Sequence, residues 1–362
     1  MSKGTNGCRG CGEPTTVRVL DFGNVPAPDH FPLVTEPIGV GEACHGLAID
    51  LCGSCGLAQL SDDDTSGEEL HGLEPQALRD QAEVAVKHVA AAGWLRGDTV
   101  LEFESPHSGT WIPLVTEYGF STTTSDADVV LDCFGIMHEP DQRSSFARRA
   151  EATREDGVLL LQYQSLVTIV EQGQWNALRH GHFAYYSVTT LARMLKDAGM
   201  SIASLWEFDL YGGTVLVAAV HGDVEPDESV RRLLAKEEAM GITTAESLAV
   251  LQETADQDVD SLVSWLEEEA AAGHTVYAYA AASKAVSLFS RAGITTRLVT
   301  AVADASPAKQ GRRMPATDIP IVSPAELLAA NPDRVLLTLA DLLPEVSARF
   351  PELDGRWRAH GL

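Results

Sequence analysis

Two groups of residues in this 362-residue chain have types and spacing suited to chemistry: four cysteines and three histidines. Cys8-Arg-Gly-Cys11-Gly12 and Cys52-Gly-Ser-Cys55-Gly56 are near-identical Cys-x-x-Cys turns. Each aims two thiolates at one point, and the trailing glycine takes the positive φ that such a turn needs. Four sulfurs complete a tetrahedral site with no open position, so the expectation is a structural Zn2+ on Cys8, Cys11, Cys52 and Cys55. Two disulfides or a redox Cys-x-x-Cys are the alternatives, and neither explains a matched pair well. The histidines are His138 in Met137-His-Glu-Pro-Asp141, and His180 and His182 in Arg179-His-Gly-His-Phe183. A neutral imidazole can serve as a general base near neutral pH. In a chain with 11 histidines, surface or packing roles are the alternative.

The charge balance narrows the partners. With 26 basic against 52 acidic residues, the formal net charge is −26, which argues against nucleic acid despite the zinc motif. An anionic small molecule is still compatible, held in a local positive pocket. No apolar run is long enough to span a membrane and no signal peptide is recognisable, so a cytoplasmic, reducing location is expected. Cys44 and Cys133 carry no motif and read as small buried residues.

The elements that must position these groups follow from periodicity. Residues 1–70 read as the zinc module, ending in the acidic stretch 61–69. Residues 71–221 alternate helix and strand. Leu78, Ala82, Ala85, Val86 and Val89 share a helical face, strands are expected at 99–103, 128–133 and 157–162, and Ser187 caps a helix that Gly199 stops. Such alternation argues a parallel α/β sheet. Residues 222–272 form an acidic helical connector with a capping box at Thr243–Glu246, and 273–362 restart the α/β pattern with strands at 275–280, 298–304 and 335–339.

Taken together, the paired knuckles, the block His180-Gly-His-Phe-Ala-Tyr-Tyr-Ser187, Tyr211-Gly-Gly-Thr214 and the run Asp304–Ile321 resemble the sugar C-methyltransferase family. That family acts on nucleotide-linked 4-keto-deoxysugars in deoxysugar and antibiotic biosynthesis. The resemblance implies a zinc module, a methyltransferase-like Rossmann domain that binds S-adenosylmethionine (SAM), and a C-terminal Rossmann-like domain, with the dTDP-sugar between the last two. It makes His182 the candidate base and matches His138 and His180 to family histidines, while Arg179 stands where the family has tyrosine. Arg179 or His138 is the candidate for the enolate charge. For the substrate it offers Tyr185 and Tyr186 (sugar stacking or core), Gly212 and Gly213 (backbone approach or a β-turn), and Lys284 (diphosphate or an exposed helix lysine). Lys309, Arg312 and Arg313 form a basic cluster of which one is expected to meet the diphosphate.

The departures bear on the methyl donor. Where the family has a glycine-rich loop after the 99–103 strand, this chain has Glu104-Ser-Pro-His-Ser-Gly109; Glu104 replaces the first glycine and Pro106 removes a backbone donor. Only Asp126 and Ala127 separate the 120–125 stretch from the 128–133 strand. Parallel neighbours need a crossover of about a dozen residues, so one helix–strand unit beside the adenine site is missing. The expectation is an enzyme that does not bind SAM and that enolises a dTDP-4-keto-deoxysugar through His182, giving epimerisation or isomerisation. A SAM-dependent 3-C-methyltransferase and a non-catalytic nucleotide-sugar-binding partner are the alternatives.

Overall fold

The computed structural model describes residues 7–28, 30–38, 42, 44–62, 65, 74–104 and 109–360. The expectation for Pro106 and most of the acidic stretch 61–69 lie outside the described residues. The chain builds three sheets. At the centre of the middle one, every residue of Ala127–Cys133 is buried, as a strand covered on both faces requires. It lies between the parallel strands Thr99–Phe103 and Thr153–Gln164, with the two-residue strand Ser121–Thr122 at the edge.

The expected all-parallel arrangement holds for these four strands only. Met200–Phe208 and Thr214–His221 complete the six-stranded sheet as an antiparallel pair. The five residues between them, 209–213, make a hairpin turn, which is too short for a parallel crossover. Helices Gln76–Ala91, Gln142–Ala152 and Val188–Asp197 cover the sheet, the last capped by Ser187 as expected.

The zinc-module sheet runs Thr16–Pro26, Cys44–Cys52, Ala58–Leu60, and then takes its fourth strand, Ala184–Tyr185, from the middle of the chain. The long connector helix Ala245–Ala271 buries Leu248, Leu251, Leu262 and Leu266 in a core shared with Leu20, Phe22 and Ile49 of that sheet. Thr244, not Thr243, caps it: Ser247 N donates to Thr244 Oγ1 at 3.4 Å, which puts Ser247 and not Glu246 at the third helical position, so the expected capping box does not form. Among the described residues, no helix is long and apolar enough to cross a membrane.

The C-terminal sheet is all parallel, in the order Ile321–Val322, Val302–Ala303, Val276–Tyr279, Arg334–Leu337, Trp357–Ala359. Strand order reverses at Val276–Tyr279, and in such sheets ligands bind outside the carboxyl ends at that switch point. The strand expected over 298–304 shortens to Val302–Ala303, because Leu298 N and Val299 N both donate to Thr295 O and hold the preceding residues in a turn. Cys133 is buried, whereas Cys44 is exposed, contrary to expectation.

Asp128 ties the central strands together. Its carboxylate accepts from Asp98 N (2.8 Å), Thr99 N (2.9 Å) and Thr99 Oγ1 (2.7 Å), and pairs with Arg154 at 2.5 Å. Burial alone would raise its pKa, but these donors outweigh it and lower the value from 3.8 to about 2. A carboxyl with a depressed pKa adds stability above its unfolded value, and the contribution disappears as pH falls through the folded one. Asp128→Asn is therefore expected to lower stability at neutral pH by about 2 kcal/mol, and to flatten the loss between about pH 4 and pH 2. Urea unfolding at several pH values measures both; an unchanged acid slope in the variant would contradict the assignment.

Candidate active site

The four knuckle cysteines converge. Their sulfurs all lie within 4.8 Å of one another, with Cys8–Cys55 at 3.5 Å and Cys11–Cys52 at 3.7 Å. Four thiolates about 2.3 Å from one zinc would be about 3.8 Å apart, so donor set and spacing fit a closed, structural Zn2+ site. The site does more than close a turn. Cys52 ends one strand of the module sheet and Cys55 lies in the turn to Ala58–Leu60. That strand pairs with Ala184–Tyr185, with Ala58 opposite Tyr185 and Gln59 opposite Ala184, and Leu60 N donates to Phe183 O at 3.2 Å. Arg9, inside the first knuckle, places its guanidinium 4.8 Å from the Phe183 ring centre. The metal-folded turns therefore grip the residue that follows His182.

From the other side, Phe183 N donates to Met137 O at 2.7 Å. Met137 belongs to the short 3-10 turn Ile136–His138, which Asp132 fixes by accepting from Gly135 N (2.8 Å) and Ile136 N (3.1 Å). Asp132 is itself held by Arg149, both fully buried. The result brings His138 and His182 edge to face, with ring centres 4.6 Å apart.

His182 lines a cavity of about 150 Å3 with Arg179, Tyr211, Gln164, Met137 and Phe134, closed from the C-terminal domain by Ser283, Lys284 and Leu339. Burial pushes the Tyr211 phenol up to about 12, so it is a proton donor near neutrality. Burial, reinforced by the Arg179 charge and opposed by Asp341, lowers Lys284 to about 8. A second cavity of about 340 Å3 abuts the first at Ala282 and Leu339. Arg79, Lys309 and Arg349 line it with the carboxylates of Glu74 and Glu345, and Tyr279, Asp304 and Ser306 lie at the carboxyl ends of the C-terminal strands. Of the six non-glycine residues with positive φ among the described residues, Phe134 (66°) and Tyr211 (54°) line the smaller cavity and Ala280 (75°) the larger. Such conformations cost on the order of 1–3 kcal/mol each, and their clustering is typical of functional sites.

Several expected site residues lie elsewhere. His180 Nε2 is 3.1 Å from Gly46 O and its ring stacks edgewise on His45, which places it against the zinc module and not in the cavity. The Tyr185 hydroxyl bonds the Arg179 backbone and that of Tyr186 bonds Gln142; both tyrosines are buried and line neither cavity, so they act in packing. Gly212 and Gly213 take φ of 77° and 146° in the hairpin turn that presents Tyr211, a turn role and not a backbone approach to the sugar. Arg312 donates to Phe31 O at 2.6 Å, and buried Arg313 pairs with Glu42; both hold these N-terminal residues and line neither of the two cavities. Lys309 remains, and Lys284 faces His182 and not the cation-lined cavity. Tyr211, Gln164, Arg79 and Arg349 were not singled out by sequence. Tyr211 had a signal, since it begins the quoted Tyr-Gly-Gly-Thr motif.

At the carboxyl end of Thr99–Phe103, the Glu102 side chain is bonded within the chain. Glu102 Oε1 accepts from Trp111 N at 2.7 Å and its other oxygen from Thr110, so the carboxylate is satisfied internally. Among the described residues, the space between Glu102, Phe103, Gly109, Trp111, Cys133, Phe134, Glu74 and Leu78 measures about 10 Å3. That admits about one water. The sheet edge at Ser121–Thr122 is followed directly by Ala127–Cys133 with no intervening strand.

Residues 209–356 match the family model described as C-methyltransferase C-terminal domain. The C-methyltransferase NovU of Streptomyces niveus is 24% identical over 410 positions, spanning 97% of this chain and 94% of that protein. Among solved structures, magnesium protoporphyrin IX methyltransferase (ChlM) from Synechocystis PCC 6803 with bound SAH is 17% identical, covers 42% of this chain and 90% of its own, and has a TM-score of 0.30. An S-adenosylmethionine-dependent methyltransferase from Clostridium acetobutylicum ATCC 824 is 9% identical, covers 40% of this chain and 92% of its own, and has a TM-score of 0.28.

The metal assignment has a direct test. Metal analysis of the purified protein is expected to return about one zinc per chain, and Cys55→Ser to lose most of it, as a site with three thiolates binds far more weakly. A wild-type protein free of zinc, or a Cys55→Ser protein that retains it, would overturn the assignment.

Proposed function

The chain belongs to the sugar C-methyltransferase family, and from that premise we propose that it modifies a nucleotide-linked 4-keto-deoxysugar by proton transfer, without SAM. The observation that carries this reading is the pair of abutting cavities. The larger, lined by Arg79, Lys309 and Arg349 at a strand switch point, suits a nucleoside diphosphate such as dTDP. The smaller, lined by His182, suits the sugar ring. His182 removes the proton from the carbon beside the ketone, the electron pair moves onto the carbonyl oxygen, and return of a proton to either face of that carbon gives epimerisation or isomerisation. The structural zinc ion holds the strand that follows His182 and takes no part in the chemistry.

A second reading is a SAM-dependent 3-C-methyltransferase, and the similarity to NovU along 97% of the chain favours it over the first. Against it stands the filled space beside Glu102. Both readings share enolate formation by His182 and part on what the enolate meets.

Two measurements separate them. Incubation of dTDP-4-keto-6-deoxyglucose in heavy water without SAM is expected to place deuterium beside the ketone, and His182→Ala to slow that exchange by about 100-fold or more. Calorimetric titration with SAM is expected to show no binding. Micromolar SAM affinity together with a methylated product would replace the first reading with the second.

A further inference from the structure

The chemistry above gives a role to His182 and leaves the cavity's cationic groups unassigned. Lys284 opens the helix Ser283–Arg291 and reaches the His182 cavity from the C-terminal domain, whereas His182 reaches it from the middle domain. Its Nζ lies 5.9 Å from the centre of the Tyr211 ring. Among the described residues, that nitrogen has no hydrogen bond or ion pair. Lys284 does not line the larger cavity, where Arg79, Lys309 and Arg349 gather. A diphosphate there is met by other cations.

We propose that Lys284 is the catalytic acid of the enolisation, its ammonium donating to the ketone oxygen of the sugar while His182 takes the proton from the adjacent carbon. The assignment rests on the enolisation reading above. In the forward step the C–H bond breaks and its proton passes to the imidazole. The electron pair becomes the new carbon–carbon double bond, and the carbonyl π pair settles on oxygen, which takes the hydrogen bond or the proton from Nζ. Return of both protons restores the ketone and the ammonium, so nothing is consumed.

The other groups facing the cavity are less suited to this task. The Arg179 guanidinium donates to His180 O at 3.4 Å and cannot give up a proton at ordinary pH. Tyr211 is a neutral donor, weaker than a cation at a developing oxyanion. Asp341 lies near Lys284 and favours its charged form, but its carboxylate accepts from the Tyr211 and Gly212 backbone and so locks the turn against the C-terminal domain. With burial and Arg179 pulling Lys284 down to about 8, the ammonium is lost as pH rises through that value.

The test is Lys284→Met and Lys284→Arg, each checked for wild-type thermal unfolding, in the heavy-water exchange of dTDP-4-keto-6-deoxyglucose. Lys284→Met is expected to reduce kcat for exchange by about 100-fold or more, with KM and affinity for dTDP alone within about twofold of wild type. The fall of wild-type exchange on the alkaline side, near the Lys284 value, is expected to move upward in Lys284→Arg, which keeps its charge. Wild-type exchange that persists at the same rate in Lys284→Met sinks this assignment alone. So does a variant that loses dTDP affinity while keeping kcat, which would make Lys284 a diphosphate anchor. Absence of exchange in the wild type sinks the enolisation reading and this assignment with it.

Discussion

The pairing of Ala58–Leu60 with Phe183–Tyr185 is the contact on which the site depends. A histidine can act as a base only if its ring is held against a substrate to within a fraction of an ångström, and a loop such as 179–183 has no regular structure of its own to do so. Adding the residues after His182 to a sheet whose turns are fixed by four cysteines supplies that restraint from one side. The bond from Phe183 N to Met137 O, backed by the buried Asp132–Arg149 pair, supplies it from the other. The four-cysteine cluster thereby restrains the position of His182 without lying in the cavity.

The two cavities divide the work by chemistry. Cations collect at the switch point of the C-terminal sheet, where strand ends leave room for a ligand. The smaller cavity draws on both neighbouring domains, with an imidazole from one and a lysine from the other. The Tyr211–Gly213 turn beside the smaller cavity is held by Asp341, and its strained backbone is tolerated because packing on both sides over-determines it.

In the middle domain the sheet is intact where it supports His138 and Tyr211, and reduced where a methyl donor would lie. Ser121–Thr122 is a two-residue edge, and Glu102 is satisfied by Thr110 and Trp111.

Sequence by itself determined what is local. The cysteine spacing, the helix face of Leu78 to Val89, the Ser187 cap and the shortness of the 120–127 connection are all read from neighbouring residues, since turns, caps and crossovers are set over a few positions. The resemblance located His182 and His138 because motif order survives divergence. Only the tertiary structure decided which long side chains share a cavity. Lys284, Arg312 and Arg313 looked alike in the chain, yet one faces His182 and two hold Phe31 and Glu42. His180 and His182 are two residues apart, yet Gly181 at φ 79° turns one toward the zinc module and the other into the cavity. A side chain's partners depend on packing between segments that are remote in sequence, such as Gly46 with His180 and Tyr211 with Asp341, and no local pattern encodes those distances.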